Sequence, residues 1–382
     1  MTLNGKILSR DSVIGTVENG LLIDYDEHRL PLYLLRTKDV EGWLRGRAID
    51  AHRTNSRLLK RALRIGMNDD LEAVLHVHAA TVTDAYWFRL TGETLCYNDV
   101  RFKENQFAAL ALKGDPDSFN KPYSPTPELT NTGSYEKCWQ MTNGKWQIVK
   151  AGNALERFSE VFISRLGSRL GFSVAEYEEK DGCVVSPDFT NGASVNYESA
   201  VGFVGDDEDY AVNFEAFWKL SPEIAKQYLQ IIYLDTLCFN MDRHTQNYGV
   251  LRDAESGEVL SMAPNFDNNI ALFSRGIPED LSRKNDKLIS LFVELIKQNK
   301  RALDFAAGFP TPNRKMLLEC AAGVPVGEST VSAACDFIIS GSEIIQEHVG
   351  QTSTMDSEGR NEKEYNPVRF DLQDTRGRVL LG

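Results

Sequence analysis

The sequence is poor in cysteine, and its cysteines form no pattern that binds a metal or builds a disulfide framework. There are six in 382 residues, and no two of them form a CxxC pair. Disulfide frameworks are typical of short secreted chains, which cannot bury enough apolar surface to fold without them. A long chain with sparse cysteines is expected to keep reduced thiols, and we predict a soluble cytoplasmic protein.

The sequence also lacks a long hydrophobic run. A helix that spans a bilayer takes about 18 or more consecutive apolar residues, and no such stretch occurs. The N-terminus, from Met1 to Lys6, has no apolar core of the kind found in signal peptides. These absences predict a protein with no membrane partner.

The sequence has fewer basic residues than acidic ones. The 42 Lys and Arg residues face 55 Asp and Glu residues, which gives a formal net charge of −13. General nucleic-acid binders neutralise phosphates with Lys and Arg, so the composition argues against direct binding of nucleic acid. The first predicted helices nevertheless carry seven basic residues: Arg45, Arg47, Arg53, Arg57, Lys60, Arg61 and Arg64. We interpret them as helix-face residues that pair with the excess acids, with a docking surface for a partner or substrate as the alternative.

The length and the 42% hydrophobic content are sufficient for two or three packed units. Residues 1–118 predict an accessory α+β region, because strand-like runs within 12–35 precede helical patterns. The predicted helices of this region are 39–48, 55–65 and 69–79. Residues 113–133 are rich in Pro, Asp, Ser, Asn and Thr, which predicts a linker or a mobile loop.

The remaining chain divides at an acidic run, 205–209, into a sheet-rich part (119–204) and a helical part (205–348), followed by a polar tail (349–382). In the sheet-rich part an Asn-Gly turn at 143–144 predicts a hairpin, and apolar spacing predicts a helix over 155–170. The predicted helices of the second part are 222–238, capped by Ser221, and 286–299, 300–306, 313–321 and 328–347.

The most informative stretch is the polar loop from Asn240 to Gly249, which lies between a predicted helix and a predicted strand. Phosphoryl transfer needs a carboxylate that orients the accepting hydroxyl and a nearby Asn side chain for Mg²⁺, and kinases place that Asn five residues after that Asp. Asp242 and Asn247 have this spacing.

A second carboxylate is needed because oxygen ligands from separate segments hold Mg²⁺ against the nucleotide phosphates. Asp267 fits this requirement, since it follows a predicted strand pair that is connected by the turn at 253–258. The three residues together indicate ATP and Mg²⁺ as cofactors.

These motifs resemble those of the HipA-like serine/threonine kinases. The family's N-x-D-R-H-x-x-N catalytic loop is matched from Asn240 to Asn247, and its later aP-x-x-D motif is matched from Ala263 to Asp267. The resemblance implies a two-lobed, kinase-like α+β fold, with Asp242 as the catalytic carboxylate and Asn247 and Asp267 as metal ligands. It also implies that Arg243 and His244 organise the loop.

The resemblance further implies an ATP lysine at the end of a strand and an acidic partner on the next helix. Lys150, which ends the predicted strand 146–150, and Glu160 match these positions. A lysine at the end of a strand can also simply face solvent. Glu160 lies opposite the apolar stripe of its helix, so it faces either a cleft or water.

The loop 130–137 resembles the segment that covers the nucleotide phosphates in this family, although it contains one glycine rather than a G-x-G-x-x-G motif. The resemblance implies nucleotide contacts at Gly133 and Ser134 and autophosphorylation at Thr130, where the added charge would switch the enzyme off. Other hydroxyls of the same stretch remain alternatives: Ser124, Thr126, Thr132 and Ser134.

The resemblance implies a protein kinase that phosphorylates Ser or Thr of a protein substrate. It also implies a toxin-like role with an antitoxin or another regulatory partner, an inference that the divergent N-terminal third weakens. A lipid or small-molecule kinase is one alternative, because lipid kinases of the phosphoinositide type carry a similar D-R-H loop. A nucleotide-gated pseudokinase is another, and the intact set of Asp242, Asn247 and Asp267 argues against it.

Overall fold

The structure is a computed structural model that describes residues 3–66 and 70–357, with side chains of the last helix described as far as 351. It contains an accessory N-terminal unit followed by two lobes, and each of the three has its own antiparallel sheet. Within the described residues, none of the helices has the length and apolar character that crossing a membrane requires.

The accessory unit is built on a four-stranded sheet whose strand order is β3-β2-β1-β4. Its elements are β1 (Gly5–Ser9), β2 (Ser12–Glu18), β3 (Leu21–Tyr25), α1 (Leu32–Thr37), α2 (Val40–Arg45), α3 (Ser56–Ala62), α4 (Asp70–Leu75), β4 (Tyr86–Leu90), α5 (Tyr97–Val100) and α6 (Ala108–Lys113). Ile7 and Leu8 of β1 belong to different hydrophobic clusters because successive strand residues face opposite sides of a sheet. The central strand therefore separates two small cores.

The predicted helices of this unit exist but are shorter than predicted. Residues 67–69, at the start of the third one, lie outside the described residues. Helices α2, α3 and α4 have six or seven residues each. Helices this short are not stable by themselves, so tertiary packing determines where they end.

Four of the seven Lys and Arg residues in 45–64 form ion pairs. Arg45 pairs with Glu41 at 2.8 Å, and Arg47 pairs with Asp84 at 2.8 Å. Arg53 and Lys60 are buried and pair with Glu128 and Asp70 at 3.3 and 2.7 Å. These four residues therefore do not form an open basic surface. This agrees with the interpretation that the basic residues pair with the excess acids.

The first lobe carries a four-stranded sheet of order β5-β6-β8-β7, packed against one long helix. Its elements are β5 (Lys137–Thr142), β6 (Lys145–Lys150), α7 (Ala154–Arg169), β7 (Glu178–Lys180) and β8 (Cys183–Pro187). The predicted hairpin is confirmed, with Asn143 and Gly144 at φ of 51° and 76°, as a tight turn between twisted strands requires. The predicted helix is confirmed as well, and burial of Phe158 and Phe162 contributes about 2 kcal/mol each.

The second lobe combines a three-stranded sheet with a bundle of helices. Its elements are β9 (Val195–Ser199), α8 (Val201–Val204), α9 (Tyr210–Leu220), α10 (Pro222–Cys238), β10 (Gly249–Asp253), β11 (Val259–Met262), α11 (Lys287–Gln298), α12 (Lys300–Ala307), α13 (Arg314–Ala321) and α14 (Glu328–Ser357). Ser221 caps α10 by accepting from the N–H of Ile224 at 3.1 Å, as predicted. Helix α9 was not predicted from the sequence.

Two boundaries differ from the sequence interpretation. Strand β9 pairs with β10 on the far side of the predicted division at 205, so strand pairing joins residues 195–199 to the second lobe. Helix α14 continues to Ser357, beyond the predicted end at 347. The rest of the predicted tail, 358–382, lies outside the described residues.

The segment 113–133 is a loop, but it is neither a linker nor an exposed loop at its C-terminal end. It contains 3₁₀ turns at Pro116–Asn120 and Pro127–Thr130, and the second turn is buried. Composition indicates only the absence of long helices and strands here. It does not show that Glu128 reaches Arg53, 75 residues away along the chain.

Glu128 is fully buried and is the centre of a hydrogen-bond network. Its carboxylate accepts from the Trp139 N–H at 2.7 Å, from Asn105 at 2.8 Å, from Asn131 at 2.9 Å and from Arg53 at 3.3 Å. Burial raises the pKa of this carboxyl, and the charge of Arg53 opposes the rise. The network fixes the entry to the loop 130–137 against the accessory unit.

Glu128→Ala is expected to lower the free energy of unfolding by about 3–5 kcal/mol, because it leaves the charge of Arg53 buried without a partner. Chemical denaturation measures the loss. The matched control is Asp336→Ala, which removes the acid of the half-exposed pair Arg314–Asp336 and should cost less than about 1 kcal/mol. Equal losses in the two variants would contradict this account.

Candidate active site

The polar loop 240–248 connects α10 to β10, and both of its ends are fixed in the core. Phe239 ends α10 in the left-handed region, at φ 53°, which turns the chain out of the helix. Tyr248 is buried, and its ring packs on Tyr228 with ring centroids 5.5 Å apart. The residues between them are therefore held at a defined position on the second lobe.

Arg243 organises this loop from inside. Its guanidinium forms a bidentate pair with Asp235 of α10, with N–O distances of 2.7 and 3.0 Å, and both side chains are almost completely buried. It also donates to the carbonyls of Asn247 and Phe266 and to Oδ1 of Asn268. One side chain thus joins the end of α10, the loop and the segment that contains Asp267.

Two asparagine side chains orient the loop further. Asn240 donates to Asp235 at 3.0 Å and accepts from the N–H of Asp242 at 3.1 Å. Asn247 donates its amide N–H to the carbonyl of Asp242 at 3.0 Å. Because the amide nitrogen of Asn247 makes this hydrogen bond, its amide oxygen is left available as a cation ligand.

Asp242 is half-exposed, in contrast to Asn240 and Arg243, which are buried. Burial raises the pKa of its carboxyl, while nearby His244 lowers it and Asp267 raises it further. A carboxylate that is positioned by its backbone but open to solvent can meet a hydroxyl group of an incoming molecule.

Lys150, at the end of β6, is buried and is bound by two carboxylates. Its Nζ lies 2.7 Å from Glu160 of α7 and 2.7 Å from Asp267, and it also donates to the hydroxyl of Tyr177 at 3.2 Å. Glu160 is fully buried, and its second oxygen accepts from the N–H of Asn268. Lys150 is therefore not a solvent-facing lysine, and Glu160 faces the cleft rather than water.

The charges of this group are strongly coupled. Burial disfavours the charge of Lys150, but Asp267 and Glu160 outweigh that effect and raise its pKa well above the usual value. Burial likewise opposes ionisation of Asp267, and Lys150 and Lys137 overcome it, so the pKa of this carboxyl lies well below its usual range. A protonated lysine next to an ionised Asp267 is the resulting state.

Lys137 and Tyr177 belong to the same site, and neither was assigned from the sequence. Lys137 lies opposite Lys150 in the β5–β6 register, and burial lowers its pKa to about 8, against the attraction of Asp267. The predicted Asn-Gly turn would have revealed this neighbour, since a two-residue turn pairs residues equidistant from it. No sequence pattern indicated Tyr177.

Within the loop 130–137, the backbone at Gly133 lies next to the side chain of Lys137. Gly133 has φ +96°, a backbone conformation that favours glycine because residues with a Cβ atom rarely adopt it. A Cβ atom there would also lie 2.6 Å from Nζ of Lys137, so the end of that side chain would have to move. Ser134 is exposed. Thr130 is instead buried, and its hydroxyl donates to the carbonyl of Ala80 in the accessory unit at 2.7 Å. The structure therefore places Gly133 next to Lys137 and directs the Thr130 hydroxyl toward the accessory unit.

The donor set fits Mg²⁺ bound with a nucleotide. Asp267 and Asn247 offer a carboxylate and an amide oxygen, the hard ligands that Mg²⁺ prefers, and in such sites phosphates and waters complete the coordination. In 3–66 and 70–357 no group of three or more His, Cys, Asp or Glu side chains could hold a metal by itself.

Comparisons with known proteins identify the fold. No family model matches the sequence, and no curated protein is a detectable relative. HipA of Shewanella oneidensis MR-1, solved with HipB and operator DNA, matches 92% of this chain and 99% of its own, at 14% identity and a TM-score of 0.59. The proinflammatory kinase CtkA of Helicobacter pylori covers 58% of this chain and 95% of its own, at 20% identity and a TM-score of 0.48.

The likeness to HipA shows that the chain has the HipA-like, two-lobed kinase fold, and it confirms the predicted fold class. A match over 92% of the chain also includes most of the accessory unit. That unit is therefore divergent in sequence but has a counterpart in the fold of HipA.

Arg243→Lys is expected to destabilise the protein by about 3 kcal/mol. A lysine has no planar fork, so it cannot replace the bidentate pair with Asp235, and it leaves buried acceptors unpaired. Chemical denaturation gives the difference from wild type. The same exchange at Arg314, whose partner Asp336 is half-exposed, should change stability little because solvent screens the pair, and similar losses at both positions would refute the organising role.

Proposed function

We propose that this chain is an ATP- and Mg²⁺-dependent kinase of the HipA-like group, which transfers a phosphoryl group to a Ser or Thr hydroxyl of a protein substrate in the cytoplasm. The observation that carries the proposal is the contact of Lys150 with both Glu160 and Asp267. Kinases align the nucleotide phosphates with such a lysine–glutamate pair next to a metal-binding aspartate.

ATP would lie between the lobes, with its phosphates facing Lys150, Lys137 and the backbone around Gly133. Asn247 and Asp267 would hold Mg²⁺, which neutralises charge on the β- and γ-phosphates when it is bound. Lys150 binds one oxygen of Asp267 and so orients this carboxylate. Burial of Glu160 and Tyr177 keeps the lysine fixed on its other sides.

Asp242 would orient the accepting hydroxyl and take its proton. The hydroxyl oxygen then forms a bond to the γ-phosphorus while the bond from that phosphorus to the β,γ-bridging oxygen breaks, and ADP leaves with the electron pair. The raised pKa of Asp242 makes its carboxylate a better proton acceptor than a solvated aspartate. Arg243 contributes by keeping Asp242, Asn247 and Asp267 in one arrangement.

The test is phosphate transfer from γ-labelled ATP by the purified chain, with and without lysate, followed by mapping of the labelled residues. Asp242→Asn and Asp267→Asn should each lower transfer by about 100-fold or more, and Lys150→Met should raise KM for ATP. Chelation with EDTA should stop the reaction, and added Mg²⁺ should restore it.

Asp304→Asn, at an exposed position of α12, is the matched control and should retain wild-type transfer. Wild-type turnover in the Asp242 or Asp267 variant would refute the site. Labelling of lipid or small molecules without any labelled protein would instead support the alternative kinase class. Nucleotide binding without transfer to any acceptor would support a pseudokinase.

Autophosphorylation at Thr130 remains part of the proposal, but the structure suggests a different route to inhibition. The buried hydroxyl donates to carbonyls of Ala80 and Pro127, so a phosphate at Thr130 would not fit where the side chain now lies. It would have to displace the turn 127–130 and, with it, the loop over Lys137. Loss of the loop, rather than repulsion within the ATP site, would then switch the enzyme off.

Thr130→Asp should therefore raise KM for ATP several-fold, because burial of an unpaired carboxylate is too costly to keep the turn in place. Thr130→Val, which keeps the volume, is the first control, and Thr94→Asp, at an exposed position of the accessory unit outside the loop, is the second. KM should change little in both. An unchanged KM in Thr130→Asp, or an equal rise in Thr94→Asp, would contradict displacement of the loop.

The counterpart of the accessory unit in HipA motivates a proposal about partners. The Shewanella structure contains HipA together with HipB, and we propose that this chain also has an antitoxin-like or other regulatory protein partner. Co-purification of the tagged chain with the product of a neighbouring gene tests this directly, and a chain that remains free of any partner would oppose it.

A further inference from the structure

A cavity of about 680 Å³ lies behind the strand that carries Lys150. Successive residues of a strand face opposite sides of a sheet, so Val149 lines this cavity while Lys150 faces the ATP cleft. Val185 of β8, the register partner of Val149, lines the cavity as well. The opposite wall is α6, so the cavity lies between the accessory unit and the back of the first lobe.

The mouth of this cavity is basic. Lys113, Lys121 and Lys180 line it, and Asp181 is the one acid among the described lining residues. Lys121 is held at the rim, since its Nζ donates to the carbonyl of Gln106 at 2.7 Å. In a chain with a formal net charge of −13, this local excess of positive charge would attract small anions. Lysine can bind phosphate as a point charge.

The interior of the cavity combines apolar and amide side chains. Leu112, Val149 and Val185 provide an apolar surface, and Gln140 and Gln147 lie opposite each other on β5 and β6. A glutamine amide offers both a donor and an acceptor, the combination that reads the edge of a nucleobase. The volume is within the range of about 300–1,000 Å³ that is usual for small-molecule sites.

We propose that this cavity is a second binding site, which takes a nucleoside phosphate with its phosphate at the three lysines and its base against the glutamines. It is separated from the ATP cleft by the thickness of the β-sheet. An occupant would contact Val149, directly next to Lys150, so binding should change KM for ATP. That effect on KM rests on the proposed kinase function, whereas binding to the cavity does not.

A cysteine in the cavity provides a direct measurement. Cys183 lines the cavity and is partly exposed, Cys96 is exposed on another part of the chain, and the other four cysteines are buried. In a Cys96→Ser background, maleimide modification of Cys183, followed by mass spectrometry, reports on access to the cavity. AMP, GMP and CMP are the probes, and equilibrium dialysis with the labelled nucleotides measures binding independently of the thiol.

At least one of the three nucleotides should protect Cys183 several-fold and saturably, and the corresponding nucleoside should not. Inorganic pyrophosphate should protect less than the nucleotide. Equal protection by pyrophosphate would overturn the assignment to nucleotides. Absence of both protection and dialysis binding for all three would overturn the site itself.

Variants separate this cavity from the ATP cleft. Lys113→Glu combined with Lys180→Glu should abolish protection and dialysis binding, as should Ala109→Trp, which adds bulk at an exposed lining position on α6. Lys145→Glu, at an exposed lysine outside the cavity, should leave both intact, and so should Lys150→Ala in the ATP cleft. If binding disappears in Lys150→Ala, or persists after the lysine reversals, the ligand belongs elsewhere and the proposal is wrong.

Discussion

The contact of Lys150 with two carboxylates is the interaction on which the arrangement of the candidate active site depends. Glu160 belongs to the first lobe, and Asp267 follows β11 of the second. An ammonium group that loses water must be compensated by charge, and removing one partner from a buried pair costs about 3–5 kcal/mol. The contact between the lobes at this site is therefore coupled to the charge state of the residues that would bind the nucleotide and its metal.

Arg243 is a buried cation of the second lobe, and its charge is likewise compensated by a carboxylate. It is buried and satisfied by Asp235, by two backbone carbonyls and by Asn268. These partners come from three different segments, so the guanidinium fixes their relative positions in a way that a smaller cation could not. Asp242 and Asn247 depend on this support, because their own segment has no regular secondary structure.

Features that depend on residues close together in the sequence could be predicted, whereas contacts between distant residues could not. The 143–144 turn, α7, α10 and the spacing of Asp242 and Asn247 depend on neighbours in sequence, and periodicity, capping and turn chemistry indicate them. Lys150 meets Asp267 across 117 residues and Arg53 meets Glu128 across 75, where no local pattern operates. Family resemblance assigned both Lys150 and Asp267 to the site, but the ion pair that it predicted was that of Lys150 with Glu160. Nothing in the sequence indicated the contact of Arg53 with Glu128 or the burial of Thr130.

The contacts of the accessory unit show that the kinase lobes are not independent of it. Arg53 and the carbonyl of Ala80 hold the entry to the loop over Lys137. On the other side, Arg252 of β10 donates to the carbonyls of His28 and Leu30 and pairs with Glu198. Since β10 begins directly after the loop 240–248, the accessory unit supports both the loop 130–137 and the loop that contains Asp242. A ligand or partner that shifted the accessory unit would therefore move both loops. The contacts that join the unit to them are buried and charged, and such contacts resist gradual deformation.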